Sequence, residues 1–312
     1  MKEVSLVGFG SHVQKNILPA FNRSDKIKIE AVYVRDPAKY CDLARFWGVQ
    51  VKAIDRLAVS SAPWVYVSTP ISTHYQIAYA CLQAGKNVIC EKPLTENVKK
   101  TIELFNYAKE KGAVLREVCM YQHHKQYEHL YSKVKEEKAH MKTFKSKFTI
   151  PHLQMNNVRY QKSLGGGALL DVGYYPISIT VDLFGKPKGV KSYIYSEAAF
   201  EVDLLGSLIL DYGDFSTLAE WGIGLPYSNQ ATILTNSREY HYDRIFSKPE
   251  NFETTVIRKE GFVEDSIIIG KDDQFVNFLE STINDDFSDR CFRTTVETAE
   301  IMRKIHEDFV TG

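Results

Sequence analysis

No apolar run in this 312-residue chain approaches the roughly 20 residues that a membrane-spanning helix requires, so none is expected. Nor is there an excess of charge: 39 Lys and Arg stand against 39 Asp and Glu, which argues against a nucleic-acid surface or a polybasic membrane patch. Cysteine is sparse and odd in number. Cys41, Cys81, Cys90, Cys119 and Cys291 form no Cys-x-x-Cys pair and sit in apolar or helical contexts, so they read as reduced, structural thiols of a cytoplasmic protein. Nine histidines include His123-His124, but no convincing metal set accompanies them, and no metal site is expected. The Gly-x-Ser-x-Gly nucleophile elbow is missing too, as are repeats and low-complexity segments. No signal-peptide pattern opens the chain, which reaches strand character by Val4. What remains is 44% hydrophobic and 25% charged, with length for two domains that each bury a core.

The first 120 residues alternate strand and helix with short links, which implies an α/β domain on a doubly wound parallel sheet. Val4-Ser5-Leu6-Val7-Gly8-Phe9-Gly10 reads as a buried strand breaking into a glycine turn, with a helix behind it. Gly8-x-Gly10-x-x-Val13 is most of a dinucleotide fingerprint. Gly8 permits the turn, Gly10 lets backbone approach a pyrophosphate, and the helix N-terminus favours its charge. Val13 stands where Gly or Ala is usual, which questions the packing of helix on strand, and Pro19 should kink or end that helix. A second strand over 29–34 ends at Val34-Arg35-Asp36, followed by a helix start at Asp36-Pro37. Arg35 suits the 2′-phosphate of NADP, whereas Asp36 keeps a ribose-binding, NAD-type alternative open. Strands at 64–68 and 113–118 flank one that runs through Val88-Ile89-Cys90 into Glu91-Lys92-Pro93. That hexapeptide delivers Lys92 to the carboxyl edge of the sheet, where open α/β sheets bind ligands.

After Met120 the pattern changes. A helix is expected over 126–138 and a strand over 144–150, then Gly165-Gly166-Gly167 and a helix over 168–184 stopped by Gly185 and Pro187. Strand-like runs follow at 190–195, 204–212, 215–221, 231–235, 239–246, 254–258 and 262–269, with a hairpin turn at Gly213-Asp214. Two amphipathic helices close the chain near 272–283 and 289–309. Residues 121–312 are thus expected to form an α+β domain on a large, mainly antiparallel open sheet. One face would carry the domain's helix, and the other is a candidate oligomer surface.

Asp171 and Tyr175 lie four residues apart on the 168–184 helix and should share a face, behind a glycine triplet that allows close approach to a ligand. A free tyrosine has a pKa of about 10, too high for an efficient acid near neutrality. An ammonium at about 4 Å favours the phenolate by up to about 4 kcal/mol at an effective dielectric of 20, and half of that lowers the pKa by more than one. Lys92 and Tyr175 make chemical sense together.

Residues 4–10, Thr69-Pro70, Glu91-Lys92-Pro93, Met120-Tyr121 and Gly165–Gly173 with Tyr175-Pro176 resemble the glucose–fructose oxidoreductase/inositol dehydrogenase (GFO/IDH/MocA) family over nearly the whole chain. The resemblance implies nicotinamide-dependent hydride transfer to or from a sugar-like carbon, with Lys92, Tyr175 and Asp171 catalytic. Tyr175 matches the tyrosine rather than the histidine branch, and Ser178 in place of an aspartate agrees with that. Cofactor-binding positions implied are Gly8, Phe9, Gly10, Ser11, His12, Arg35, Asp36, Thr69, Pro70, His74, Glu91 and Lys92; the substrate side takes Tyr121, Asn157, Arg159 and Tyr175. Ile71 replaces an asparagine usual after Thr-Pro, and Gln122-His123-His124-Lys125 departs from the family pattern at the expected substrate wall. The stretch 222–247, with Tyr227, Asn229 and Arg244-Ile245-Phe246-Ser247, is similar to members that reduce 3-keto groups of nucleotide-linked deoxysugars. NADP(H) is the expected cofactor, NAD(H) the alternative. The expected partners are a sugar or sugar-nucleotide substrate and further copies of the chain, as a homodimer or homotetramer through the second domain's sheet. A dehydrogenase of a free sugar or trans-dihydrodiol, and a non-catalytic nicotinamide-binding sensor of the same fold, are the rival readings.

Overall fold

Strands of β-branched and aromatic residues buried on both faces build the first sheet of the computed structural model, which describes residues 1–284 and 288–311. β1 (Lys2–Val7), β2 (Ile27–Val34), β3 (Val51–Ala53), β4 (Trp64–Val67), β5 (Asn87–Cys90) and β6 (Leu115–Glu117) pair in parallel in the order β3-β2-β1-β4-β5-β6. Strand order reverses between β1 and β4, and a sheet of this kind binds its ligand at that reversal. β3 escapes the sequence reading because it is three residues long and only half-buried, without an apolar run to mark it. Two expectations about the first helix change. It opens as a π-helix, Val13–Ile17, in which Leu18 N–H reaches back to the Val13 carbonyl, and continues as α1 (Leu18–Arg23). Pro19 therefore stands in the first turn of α1 and ends nothing, since a proline there gives up a hydrogen bond that the register change already forgoes. The wider turn also accommodates Val13, which is fully buried. α2 (Cys41–Trp47), α3 (His74–Gln83) and α4 (Val98–Lys111) complete the βαβ crossovers.

The chain divides into two compact units. Met1–Cys119 with Phe275–Phe292 is one, and Met120–Gln274 with Arg293–Gly312 is the other. In the second, α5 (Lys125–Glu137) precedes an eight-stranded sheet made of β7 (Met141–Ile150), β8 (Gly189–Tyr195), β9 (Leu205–Asp211), β10 (Ser216–Ile223), β11 (Ser228–Thr235), β12 (Arg238–Asp243), β13 (Thr254–Glu260) and β14 (Val263–Gly270). The order is β14-β13-β12-β11-β7-β10-β9-β8, antiparallel throughout except for β7 against β10, where Phe148 pairs with Trp221. One face carries the helix over 169–184: Ser146 Oγ donates to the Pro176 carbonyl at 3.1 Å, and Gly173 lies so close to the Trp221 ring that a Cβ would stand 3.0 Å from it. The hairpin at Gly213 forms as expected. α7 (Gln274–Asn284) and α8 (Asp289–Thr311) follow the sheet.

Candidate active site

In the first unit, residues at the carboxyl edge of the sheet hold one another. Gly8 has φ +100°, and a Cβ there would lie 2.2 Å from the Ser68 carbonyl oxygen, so its glycine is imposed by the turn itself. Beside Gly10 a Cβ would meet nothing within 4 Å; the backbone there is open at the head of a helix, the arrangement a diphosphate requires. Ser11 is exposed next to it, whereas Phe9 is buried and stacked on Tyr40 at 5.6 Å. The residues present fit a dinucleotide.

His12 and Glu91, named separately from sequence, are bonded to each other at 2.8 Å, and Tyr66 Oη donates to the same carboxylate oxygen at 2.6 Å. Burial pushes the Glu91 carboxyl up, but the facing His12 and the hydrogen bonds from His12 and Tyr66 outweigh it and leave its pKa below the usual range. His74 is buried, with its ring nitrogens 2.9 Å from the Thr69 carbonyl and 3.1 Å from the Pro93 carbonyl. It therefore touches a cofactor only through the two turns it supports, and burial holds its pKa below the ordinary histidine value. Thr69 accepts from Thr73 Oγ1 at 2.8 Å. Thr69 and Pro70 are half-buried, as is Lys92, whose peptide bond to Pro93 is cis. Arg35 and Asp36 are exposed, and Asp36 faces Lys39 at 3.4 Å.

In the second unit, the helix expected from Ala168 starts as a π-helix, Leu169–Gly173, before α6 (Tyr174–Phe184). The glycine triplet in front of it serves packing rather than ligand approach. A Cβ on Gly166 would stand 2.7 Å from the Arg159 carbonyl oxygen, and one on Gly167, at φ +119°, 2.4 Å from Asp203 Oδ1. Asp203 grips the start of this helix: Oδ2 accepts from Leu169 N–H at 2.6 Å and its carbonyl accepts from Ala168 N–H at 2.9 Å. Burial pushes its carboxyl up to about 6 against those bonds. Asp171 is ion-paired to Arg159, and the carboxylate raises the arginine's pKa. Asn157 Oδ1 accepts from Arg159 N–H at 3.1 Å, ordering the turn that carries the guanidinium.

Tyr175 is nearly buried among Phe148 at 5.1 Å, Phe246 at 5.7 Å and Tyr121 at 6.3 Å between ring centroids. Tyr121 is fully buried, and its hydroxyl meets Ser178 Oγ at 2.9 Å, so it backs Tyr175 instead of lining an open surface. His124 likewise leaves the expected substrate wall: it is fully buried, and its Nδ1 caps α5 by accepting from Gln126 N–H. Burial, then the nearby Lys248, lowers its pKa to about 4. From Tyr175 a series of aromatic rings leads outward. Phe148 is followed by Tyr227 at 6.4 Å, which is 46% exposed, and the Arg244 guanidinium lies 5.3 Å from the Tyr227 ring and 5.1 Å from that of Phe252. Buried Asn229 fixes this loop through Tyr227 Oη, the Ser247 carbonyl and Phe246 N–H.

Sequence reasoning passed over Tyr66 and Asp203. Each carried a faint signal, a phenol on an otherwise apolar strand and an acid between Val202 and Leu204. Lys92 and Tyr175 belong to different units.

Comparison with known proteins settles the family. The model described as oxidoreductase family, NAD-binding Rossmann fold, matches residues 2–119, and that of the GFO/IDH/MocA C-terminal domain matches residues 138–236. A dTDP-3,4-didehydro-2,6-dideoxy-alpha-D-glucose 3-reductase of Saccharopolyspora spinosa is 31% identical over 86% of this chain and 83% of its own length. The chain belongs to the GFO/IDH/MocA oxidoreductase family. It is an NAD(P)-dependent oxidoreductase, and the rival reading as a non-catalytic sensor falls away. A like-named reductase of Actinomadura kijaniata is 28% identical over 98% of this chain and 90% of its own. The crystal structure of KijD10, a 3-ketoreductase from Actinomadura kijaniata in complex with NADP and TDP-benzene, superposes with a TM-score of 0.92, covering 98% of this chain and 97% of that one at 22% identity. That likeness confirms the parallel Rossmann-type sheet and the second, mainly antiparallel sheet.

Proposed function

We propose that this protein is an NADP(H)-preferring reductase of a keto group on a nucleotide-linked deoxysugar. The observation that carries the reading is the aromatic series from Tyr175 to Arg244. A free sugar needs only the buried end, whereas a nucleotide-linked one needs an exposed aromatic surface and a cation further out. Arg244 supplies that cation: among the described residues no carboxylate pairs with it, and it sits at φ 49°, a strained backbone that a residue other than glycine adopts at a cost. The similarity to reductases acting on dTDP-linked sugars supports the same class. In this reading the nicotinamide, when bound, supplies the hydride. Tyr175 gives its proton to the substrate oxygen, Lys92 favours the phenolate left behind, and the Arg159–Asp171 pair holds the turn before the phenol.

The test is loss of NADPH absorbance with a dTDP-linked 3-ketosugar, set against free aldoses and trans-dihydrodiols with NADP. Tyr175→Phe and Lys92→Ala should each lower turnover by about a thousandfold, and the double variant little further, because groups acting as a unit are non-additive. Arg244→Ala should raise KM for the nucleotide-linked substrate by about tenfold and spare kcat, the signature of uniform binding. Full turnover by Tyr175→Phe, or faster turnover of a free aldose, would overturn the proposal.

Tyr193, Tyr195 and Ile209 lie exposed on one face of the β8–β9 pair, and we propose that this face joins copies into a homodimer or homotetramer. Light scattering on a Tyr193→Lys/Ile209→Lys variant tests it: a species unchanged from the natural chain would count against this face. No disulfide joins the cysteines among the described residues, and Cys41 is exposed, which supports a cytoplasmic location.

A further inference from the structure

Two turns at the carboxyl edge of the first unit are joined by a single histidine. His12 stands in the first turn of the helix behind Gly8–Gly10; Glu91 follows the last residue of β5, between the strand and Lys92. Asn16 Nδ2 lies 3.0 Å from His12 Nδ1. An amide nitrogen only donates, so Nδ1 accepts, and Nε2 carries the hydrogen that bonds Glu91 Oε1 at 2.8 Å. The same oxygen takes the Tyr66 hydroxyl from β4, the strand lying between β1 and β5 in the sheet. The connected groups thus cross the point at which strand order reverses. Glu91 is buried and cannot shift without giving up both bonds, and bonds to an ionised acceptor are the stronger kind.

We propose that the His12–Glu91 hydrogen bond is a strut fixing the separation between the turn that receives the cofactor's diphosphate and the turn that carries Lys92. His12 and Glu91 are then positioning residues: the strut places the nicotinamide end of the dinucleotide relative to its diphosphate. The inference rests on nicotinamide-cofactor binding, not on the identity of the sugar. A histidine that merely braced its own turn would affect every ligand of that turn alike.

Fluorescence and calorimetric titrations distinguish the two, using NADPH and 2′-phospho-ADP-ribose, which lacks the nicotinamide. His12→Leu should weaken NADPH by about tenfold, the worth of one such bond, and 2′-phospho-ADP-ribose by less than about twofold. His12→Gln, whose amide can donate to Glu91, should recover most of the loss. The His12→Leu/Lys92→Ala double variant should bind NADPH no more weakly than Lys92→Ala alone. Glu91→Leu should repeat the His12→Leu pattern even if His12→Leu melts early. Equal losses for both probes, no loss for either, or additive losses with Lys92→Ala would each overturn the proposal. Failure of both probes to bind any variant or the natural chain would instead remove the cofactor premise itself.

Discussion

Arg35 and Asp36 follow β2 side by side and compete for the same part of a dinucleotide. The structure separates them: Asp36 is turned toward Lys39 at 3.4 Å, and no carboxylate pairs with Arg35 among the described residues. An exposed pair such as Asp36–Lys39 is weak, but it leaves Arg35 as the group available to a 2′-phosphate. Arg35→Ala should raise the NADPH dissociation constant by about tenfold and leave that for NADH within about twofold; tighter NADH than NADPH binding by the natural protein would reverse the assignment. Residues of this sort were legible in the sequence because their chemistry is local. Gly8 could be named from spacing and a strand end alone, and its φ of +100° agrees. The bond between His12 and Glu91 could not, since 79 residues separate them and only the sheet order brings them together. Tyr121 and His124 were misplaced for a related reason, because burial of a polar residue is set by neighbours remote in sequence.

The elements themselves were largely readable. Strands rich in Val, Ile, Tyr and Phe announce themselves, and the seven runs expected after Pro187 all appear as β8–β14. What spacing does not reveal is helix type: Val13–Ile17 and Leu169–Gly173 have the apolar spacing of α-helix, yet both open as π-helix, at the diphosphate turn and just before Tyr175. Tertiary contact decides this. The start of the second is clamped by Asp203, whose carboxyl is held at about 6, above the ordinary value near 4. A raised carboxyl pKa means the folded chain binds its proton more tightly than the unfolded one. Its stabilising contribution is complete below pH 4 and is lost as pH rises from about 4 to about 6. Asp203→Asn cannot titrate, so its melting midpoint relative to the natural chain should climb by a few degrees between pH 4 and pH 6 and then stay level. A flat difference across that range would remove Asp203 as the titrating group.

At the level of the whole molecule, the first unit is completed by a late segment. Glu280 accepts from Ser24 Oγ at 2.7 Å and from Lys26 Nζ at 2.5 Å, and the Phe292 ring meets that of Phe105 edge-on at 5.2 Å. Leu279 is 1% exposed, and trimming a buried leucine to alanine costs about 2–5 kcal/mol. Leu279→Ala should therefore lower the unfolding midpoint in urea, and saturating NADPH should recover part of the loss because the ligand binds only the folded unit. An unchanged midpoint, or one that NADPH does not move, would show that Phe275–Phe292 contributes nothing to the cofactor unit.

That late segment also has a consequence for how the protein is made. Domains usually fold in the order in which they leave the ribosome. Here the residues up to Cys119 emerge first but lack α7, whereas the whole eight-stranded sheet lies within Met120–Gln274 and is available for completion before Phe275–Phe292 has been synthesised. The nascent cofactor unit therefore waits, with the surface meant for Leu279 and Phe278 uncovered, until Phe275–Phe292 has been synthesised.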